Sequence, residues 1–313
     1  MDDDLLVRIA WQYYIEGLTQ QEIANRTHLS RPKVARLLKQ ARQKGVVEFQ
    51  IKGTITEHLD LEWQLRSQFG LKDARVIPTP SNVDETRREL GRATAVYLRE
   101  IFEPRMKIGL GMGRTLAEIP NFVSPSVETN CEIVEMVGGA SRTDVGGDTY
   151  NISWRLAERL GGVAHHLNTP VVVQEKEMRD VLMKDQQIIS ALQKAVQCDL
   201  ALVGIGRLSE EMPLSLLGYC DDATLKQLQA KGAVGDILGH FFDIEGYPVI
   251  TTIEDRLVGL TANQLKRIPV VCGIAGGIKK TEAMLGALRG RYLNILITDG
   301  QTASQILEIS NRT

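Results

Sequence analysis

Cysteine is scarce in this 313-residue chain, and what there is of it is spaced badly for chemistry. Cys131, Cys198, Cys220 and Cys272 form no C-x-x-C pair, which argues against a disulfide framework and a zinc site and points to reduced thiols buried in strands. No apolar run approaches the ~18 residues of a membrane span. The opening MDDDLLVRIA lacks the regions of a secretory leader, so a cytosolic location is expected. Low-complexity tracts and short-period repeats are also missing. Net charge is nearly absent at −2, so any affinity for nucleic acid must come from a local patch. Catalytic signatures are missing too. There is no Walker A lysine, and no Ser-His-Asp or nucleophile-elbow pattern stands out. The run Gly109-Leu-Gly111-Met-Gly113 is G-x-G-x-G, not G-x-G-x-x-G, and no acid follows near Gly138 to hold a ribose. The adjacent His165 and His166 point to opposite sides of a strand, with no further ligand at suitable spacing. Neither cofactor, metal nor enzymatic activity is expected.

One absence is local. From Arg26 to Lys44 there is no Asp or Glu, while Arg31, Lys33, Arg36, Lys39, Arg42 and Lys44 are basic. Residues 19–44 read as two short helices and a tight turn. Thr19 and Glu22 have the spacing of a capping box. Ile23 and Ala24 form the buried face of the first helix, and Leu29 fills the turn. Ser30 is placed to cap the second helix, with Pro32 in its first turn. Val34, Leu37, Leu38 and Ala41 recur at i, i+3, i+4, i+7 and make its buried stripe. A helix apolar on one side and cationic on the other, preceded by a short helix and turn, fits a helix-turn-helix in the DNA major groove. The expected DNA-facing residues are Thr19, Gln20, Ser30, Arg31, Lys33, Arg36 and Lys39. His28 stands where such turns usually carry Gly, so a left-handed backbone is expected there.

The rest of the chain has room for a second domain: 43% of residues are hydrophobic and 24% charged, the balance of a globular protein. Residues 5–17 pattern as an amphipathic helix with Leu6, Ile9, Ala10, Tyr13 and Tyr14 on one stripe. VVEFQIK alternates as a strand, the wing of a winged domain. Residues 58–69 are helical, with Leu59, Leu61, Leu65 and Phe69 apolar. Pairing between subunits and packing onto the second domain fit equally well. Beyond Ala74, short apolar runs alternate with helical patterns: ARVIP, MKIGLGMG, EIVEMVGG, DLALVGIG, YPVITTI, IPVVCGIAGG and LNILITD as strands, and helices at 86–101, 114–122 and 150–160. This is α/β texture, a doubly wound and mostly parallel sheet, with ligands expected outside the carboxyl ends of the strands. The expected domains are 1–53 (DNA-binding), 54–70 (linker helix) and 71–313 (effector-binding and oligomerisation).

Several of those strands end in Gly-rich turns, at 109–115, 138–141, 204–206 and 276–280. A Gly turn that opens a helix presents backbone N–H groups to an anion. If the turns converge, they frame a pocket for a small, oxygen-rich, even phosphorylated molecule. Lys280 is either a phosphate or hydroxyl ligand there or a surface lysine. Asp236, in GAVGDILGHFFD, is either a cap or a carboxylate that accepts ligand hydroxyls.

Nearly all of residues 5–309 resembles the SorC family of bacterial sugar-responsive transcriptional regulators. The resemblance is carried by RIAWQYYIEGLTQQEIANRTHLSRPKVARLLKQARQKGVV, GLGMGRTL, the GG of EMVGGAS, KGAVGDILGHFFDIEG, VCGIAGGIKKTEAMLGALRGRYLNILITD and QTASQIL. It implies a winged helix-turn-helix head and an effector domain related to sugar-phosphate isomerases and glucosamine-phosphate deaminases. It also implies tetramers that bind operator DNA and respond to a sugar, polyol or its phosphate. The family's effector contacts would fall on Asp236, Leu238 and Lys280. Gly111, Gly113, Arg114 and Thr115, with Gly138, Gly139 and Ser141, and Gly277 beside Lys280, would complete the pocket. Some members carry a Schiff-base Lys immediately before the Gly-Gly pair. Here that position is Val137, so covalent capture of an aldehyde is not expected.

Overall fold

The computed structural model describes residues 2–47, 56–139 and 149–312. Residues 48–52 of the expected wing strand and Ser141 lie outside the described residues. The chain divides into two compact units, Met1–Thr56 and Glu57–Thr313.

The first unit contains helices α1 (Asp2–Tyr14), α2 (Gln20–Thr27) and α3 (Arg31–Gln43). Their apolar stripes meet in one small core of Leu6, Ile9, Ala10, Ile23, Ala24, Val34, Leu37, Leu38 and Ala41. Tyr13, Tyr14 and Leu29 are half-buried against it. The stripes converge because an i, i+3, i+4, i+7 pattern puts every apolar side chain on one helix face.

The second unit begins with helix α4 (Thr56–Phe69), strand β1 (Asp73–Ile77) and helix α5 (Val83–Ile101). Strands β2 (Lys107–Leu110) and β3 (Glu132–Glu135) precede α6 (Thr149–Leu160) and β4 (Val163–His165). Next come α7 (Lys176–Leu182), α8 (Gln186–Val196), β5 (Leu200–Gly204) and β6 (Gly206–Arg207). Helices α9 (Pro213–Leu216) and α10 (Asp222–Ala230) lead to the hairpin β7 (Ala233–Ile237) and β8 (His240–Asp243). The chain continues through α11 (Ala262–Leu265), β9 (Val270–Ile274), α12 (Thr281–Arg289), β10 (Ile295–Asp299) and α13 (Gly300–Arg312).

Seven strands form one sheet in the order β1-β10-β9-β5-β2-β3-β4, with every pairing parallel. Its five inner strands are largely buried on both faces, as a parallel sheet requires, while the edge strands β1 and β4 are only partly covered. Leu200 and Leu202 of β5 enter one apolar layer and Ala201 and Val203 the other, because successive side chains point to opposite faces. From β2 the winding runs through β3 to β4, while β5, β9 and β10 run the other way. The order therefore reverses between β2 and β5, where an open α/β sheet leaves a crevice. Strands β6, β7 and β8 form a separate antiparallel sheet.

Two expectations are corrected and one stretch gains a structure. YPVITTI is not a strand: Pro248 makes one isolated bridge to Phe242 and has no N–H with which to extend a ladder. The helix expected at 114–122 is a 3₁₀ turn, Leu116–Asn121, interrupted by Pro120. GAVGDILGHFFD, read only for its Asp, is the β7–β8 hairpin. One side of α4 packs on its own domain. Leu65 is fully buried and Leu61 and Phe69 pack on the main core, whereas Leu59 is exposed.

Candidate effector cavity and nucleic-acid interface

In the first unit the capping box forms as the spacing requires. The Glu22 N–H donates to Thr19 Oγ1 at 3.3 Å, and the Thr19 N–H donates back to Glu22 Oε2 at 2.8 Å. The Thr19 hydroxyl is therefore engaged inside the head, while Gln20 is half-exposed beside it. Ser30 sits at the N-cap of α3 but makes no side-chain cap bond. Pro32 removes the second N–H of the helix as a partner, and the third, on Lys33, is not bonded by the Ser30 side chain either. Arg31, Lys33, Arg36 and Lys39 are exposed on the side of α3 opposite its buried stripe. Arg42, by contrast, donates its Nε–H to the Tyr14 hydroxyl at 2.7 Å. His28 adopts φ 55°, ψ 30°, the left-handed conformation that ends α2 and turns the chain into α3.

In the second unit a cavity of about 490 Å³ opens beyond the carboxyl ends of β2, β5, β9 and β10. Gly113, Arg114, Thr115, Asp236, Leu238, Gly277 and Lys280 all line it. Gly111 lies one layer behind. Its N–H donates to Leu202 O, and a Cβ there would stand 2.9 Å from Leu238. Gly138 and Gly139 are not brought to this cavity. Their N–H groups donate to Val258 O and Thr169 O, and a Cβ on Gly138 would stand 2.5 Å from Pro170 O. That turn is glycine for close backbone packing, and its amides are not offered to an anion.

The β7–β8 turn aims two of the lining residues. Leu238 and Gly239 both have positive φ, 54° and 83°, which a two-residue type I′ hairpin demands. Leucine pays for that conformation with strain of about 1–2 kcal/mol. Asp236 Oδ2 accepts the Gly239 N–H at 3.1 Å and steadies the turn. The turn holds a buried leucine and a carboxylate side by side at the cavity wall. Burial raises the Asp236 carboxyl above its usual range, opposed by the Gly239 N–H, Lys280 and His240.

Lys280 closes the 3₁₀ turn Ile278–Lys280 and donates from Nζ to Ile205 O at 2.8 Å. Burial lowers its ammonium to about 8, and repulsion from Arg87, Arg114 and Arg207 adds to this while Asp236 opposes it. Those three arginines also line the cavity. Arg114 donates to the Glu211 carbonyl at 3.0 Å, and Arg207 lies 3.9 Å from the Glu211 carboxylate. The sequence reading missed Arg87, Arg207, Asp299 and Gln301. Arg87 and Arg207 sit in ordinary helix and strand surroundings, and no local spacing marks them. Among the described residues no cluster of His, Cys, Asp and Glu is placed to hold a metal. His165 and His166 are each paired with a glutamate, Glu132 at 2.7 Å and Glu135 at 2.8 Å. All four cysteines are buried and free.

Residues 54–308 match the family model described as "Putative sugar-binding domain", and residues 16–48 match the winged helix-turn-helix DNA-binding model. The chain is a member of the SorC family of sugar-binding transcriptional regulators. The transcriptional regulator LsrR of Escherichia coli (strain K12) is 35% identical over 98% of this chain and 95% of its own length. LsrR of Klebsiella pneumoniae subsp. pneumoniae is 31% identical over 99% and 94%. The crystal structure of the full-length sorbitol operon regulator SorC from Klebsiella pneumoniae superposes with a TM-score of 0.75 at 29% identity, covering 98% of this chain and 99% of that one. This SorC-family protein is a DNA-binding transcriptional regulator with a sugar-binding domain, and its relatives are named as regulators, not as enzymes. Among the described residues no helix is long and apolar enough to cross a membrane.

Proposed function

We propose that this SorC-family member is a cytoplasmic regulator, a repressor, of a carbohydrate or polyol operon, and that its effector is a phosphorylated sugar or polyol held in the cavity at the strand ends. The DNA-binding head is residues 1–53, and 71–313 bind effector and assemble the chain as a homotetramer, with 54–70 joining them. One observation carries the choice of effector. Arg87, Arg114 and Arg207 line one cavity with Lys280 and repel its ammonium, and burial already pushes Lys280 toward neutrality. A dianionic phosphate relieves that repulsion, as charge-assisted bonds to such groups do. Asp236 beside Leu238 fits the other end of the ligand, where hydroxyls donate to a carboxylate and a carbon face meets a leucine.

Regulation follows by linkage. The effector shifts the protein between DNA-competent and incompetent states only as far as its affinities for the two differ. Arg31, Lys33, Arg36 and Lys39 supply the contacts to operator DNA, with Gln20 and Ser30 at the groove edge. The test pairs phosphorylated and free forms of the same sugars and polyols in thermal melts of the full-length protein, followed by gel shifts on its own promoter. Stabilisation by phosphorylated forms only, and release of DNA by the same compounds, is the expected result. Arg36→Ala should weaken DNA binding and lower the salt slope by about one, while Lys280→Ala should spare DNA binding and blunt the response. Equal stabilisation by free sugars would refute the phosphate reading.

A further inference from the structure

Asp299 lines the effector cavity yet is only 1% exposed, and its carboxylate is already used by the protein. It ends β10 and accepts from two turns at once. Oδ1 takes the Thr302 N–H at 3.0 Å in the first turn of α13. Oδ2 takes the Thr302 hydroxyl at 2.7 Å and the Gly277 N–H at 2.7 Å. The Gly277 N–H also reaches Thr302 Oγ1 at 3.0 Å, so amide, hydroxyl and carboxylate form one closed set. Thr302 is fully buried.

The other end of that set is the turn carrying Lys280. Gly277 has φ 96°, ψ 128°, a conformation L side chains rarely adopt, and a Cβ on Gly276 would stand 2.6 Å from Asp299 Oδ2. A Gly-Gly turn has little conformational preference of its own and loses much entropy when ordered. The fixed acceptor at Asp299 chooses its shape. Gly277 O then accepts the Lys280 N–H at 2.8 Å, and Lys280 Nζ crosses to the end of β5 at Ile205 O. A continuous path of bonds runs from Asp299 through Gly277 to Lys280.

We infer that Asp299 is a positioning residue of the effector site: with Thr302 it holds the Gly276-Gly277 turn, and through it Lys280, in place for an anion that Asp299 itself does not touch. This rests on the proposed reading of the cavity as an anion site, and the experiment separates the two. Full-length wild type, Asp299→Asn, Thr302→Val, Thr302→Ser, Lys280→Gln and the Asp299→Asn/Lys280→Gln double variant are compared in two measurements. The first needs no ligand: competitive acylation of Lys280 across pH. Wild-type Lys280 should titrate near 8. In Asp299→Asn and Thr302→Val it should move back toward the ordinary lysine value, and Thr302→Ser should restore it. The second is stabilisation by inorganic phosphate. Asp299→Asn should weaken apparent phosphate affinity about tenfold or more, and should add nothing once Lys280 is Gln, because the two then act as one unit.

If Asp299 only caps α13, both Asp299→Asn and Thr302→Val lower the melting temperature while Lys280 titration and phosphate affinity stay as in wild type, and the inference fails. If Asp299 contacts the anion's partner groups directly, its loss is additive with that of Lys280, and the inference again fails. If wild type ignores phosphate, the anion reading of the cavity falls, while the acylation profile still decides whether Asp299 places Lys280.

Discussion

Gly206 and Asp236 face each other across the β6–β7 ladder, and a Cβ on Gly206 would stand 2.0 Å from Asp236 Oδ1. The glycine makes room for the carboxylate at the cavity wall. Gly206→Ala therefore forces Asp236 out or parts the two strands, at a cost of about 1–3 kcal/mol for overpacking. The expected phenotype is a lost effector response with DNA binding retained, read as promoter-DNA binding with and without phosphorylated sugars. An unchanged response would mean Asp236 is not a contact.

Lys280 makes phosphate binding proton-linked. Its ammonium loses its proton near 8 in the empty cavity, below the ordinary lysine value of 10.5. A bound dianion holds the proton on, so binding takes up a proton as pH rises between those two values. Affinity should fall by up to about tenfold per pH unit in that window, and Lys280→Gln should flatten the profile. The sign for stability is opposite. Below 8 the folded state bears the cost of a buried charge, and the unliganded protein gains stability as pH rises through the window, because the unfolded chain keeps the proton longer. Isothermal titration and melts at matched pH check both.

His28 costs the head stability. Its φ of 55° is one that only glycine adopts freely. The predicted effect of His28→Gly is a gain of roughly 1 kcal/mol, seen as a higher melting temperature, with unaltered affinity for promoter DNA. A drop in affinity would show that the imidazole touches DNA.

The hairpin that carries Asp236 and Leu238 is fastened by His240, whose Nδ1 lies 2.8 Å from Glu254 Oε1 and whose Nε2 lies 2.9 Å from Leu260 O. The His240 hydrogen bond holds the Glu254 carboxyl below its usual range, and desolvation opposes it. A carboxyl so lowered adds stability above its ordinary value and loses it as pH falls through the depressed one. Glu254 is a third exposed, so at most about 1 kcal/mol is at stake after screening. Glu254→Gln should remove that increment near neutrality and leave the two proteins converging in acid, as denaturant titrations at several pH values would show.

The head was legible residue by residue. Its stripe, capping box, turn and basic face depend on spacings of three and four residues, which the sequence displays directly. The one failure there is the Ser30 side-chain bond, which does not form although Ser30 stands at the N-cap. The parallel sheet was legible for a similar reason, since its doubly buried strands appear as short apolar runs. YPVITTI imitated such a run but carries Pro248.

By itself, then, the sequence determined the helices of the head, the α/β class and the polarity of the basic helix, because these follow from local periodicity and from which residues water excludes. It also marked Lys280 and Asp236, through local motifs. Tertiary structure alone decided which Gly turns meet. It joined the turns after β2, β5 and β9 at the reversal of strand order and left Gly138 and Gly139 packed against Thr169 and Pro170. It also brought Arg87 and Arg207, far apart in the chain, to one cavity with Arg114 and Lys280. Coulomb repulsion acts through space, and a chain read in order carries no record of which charges will become neighbours.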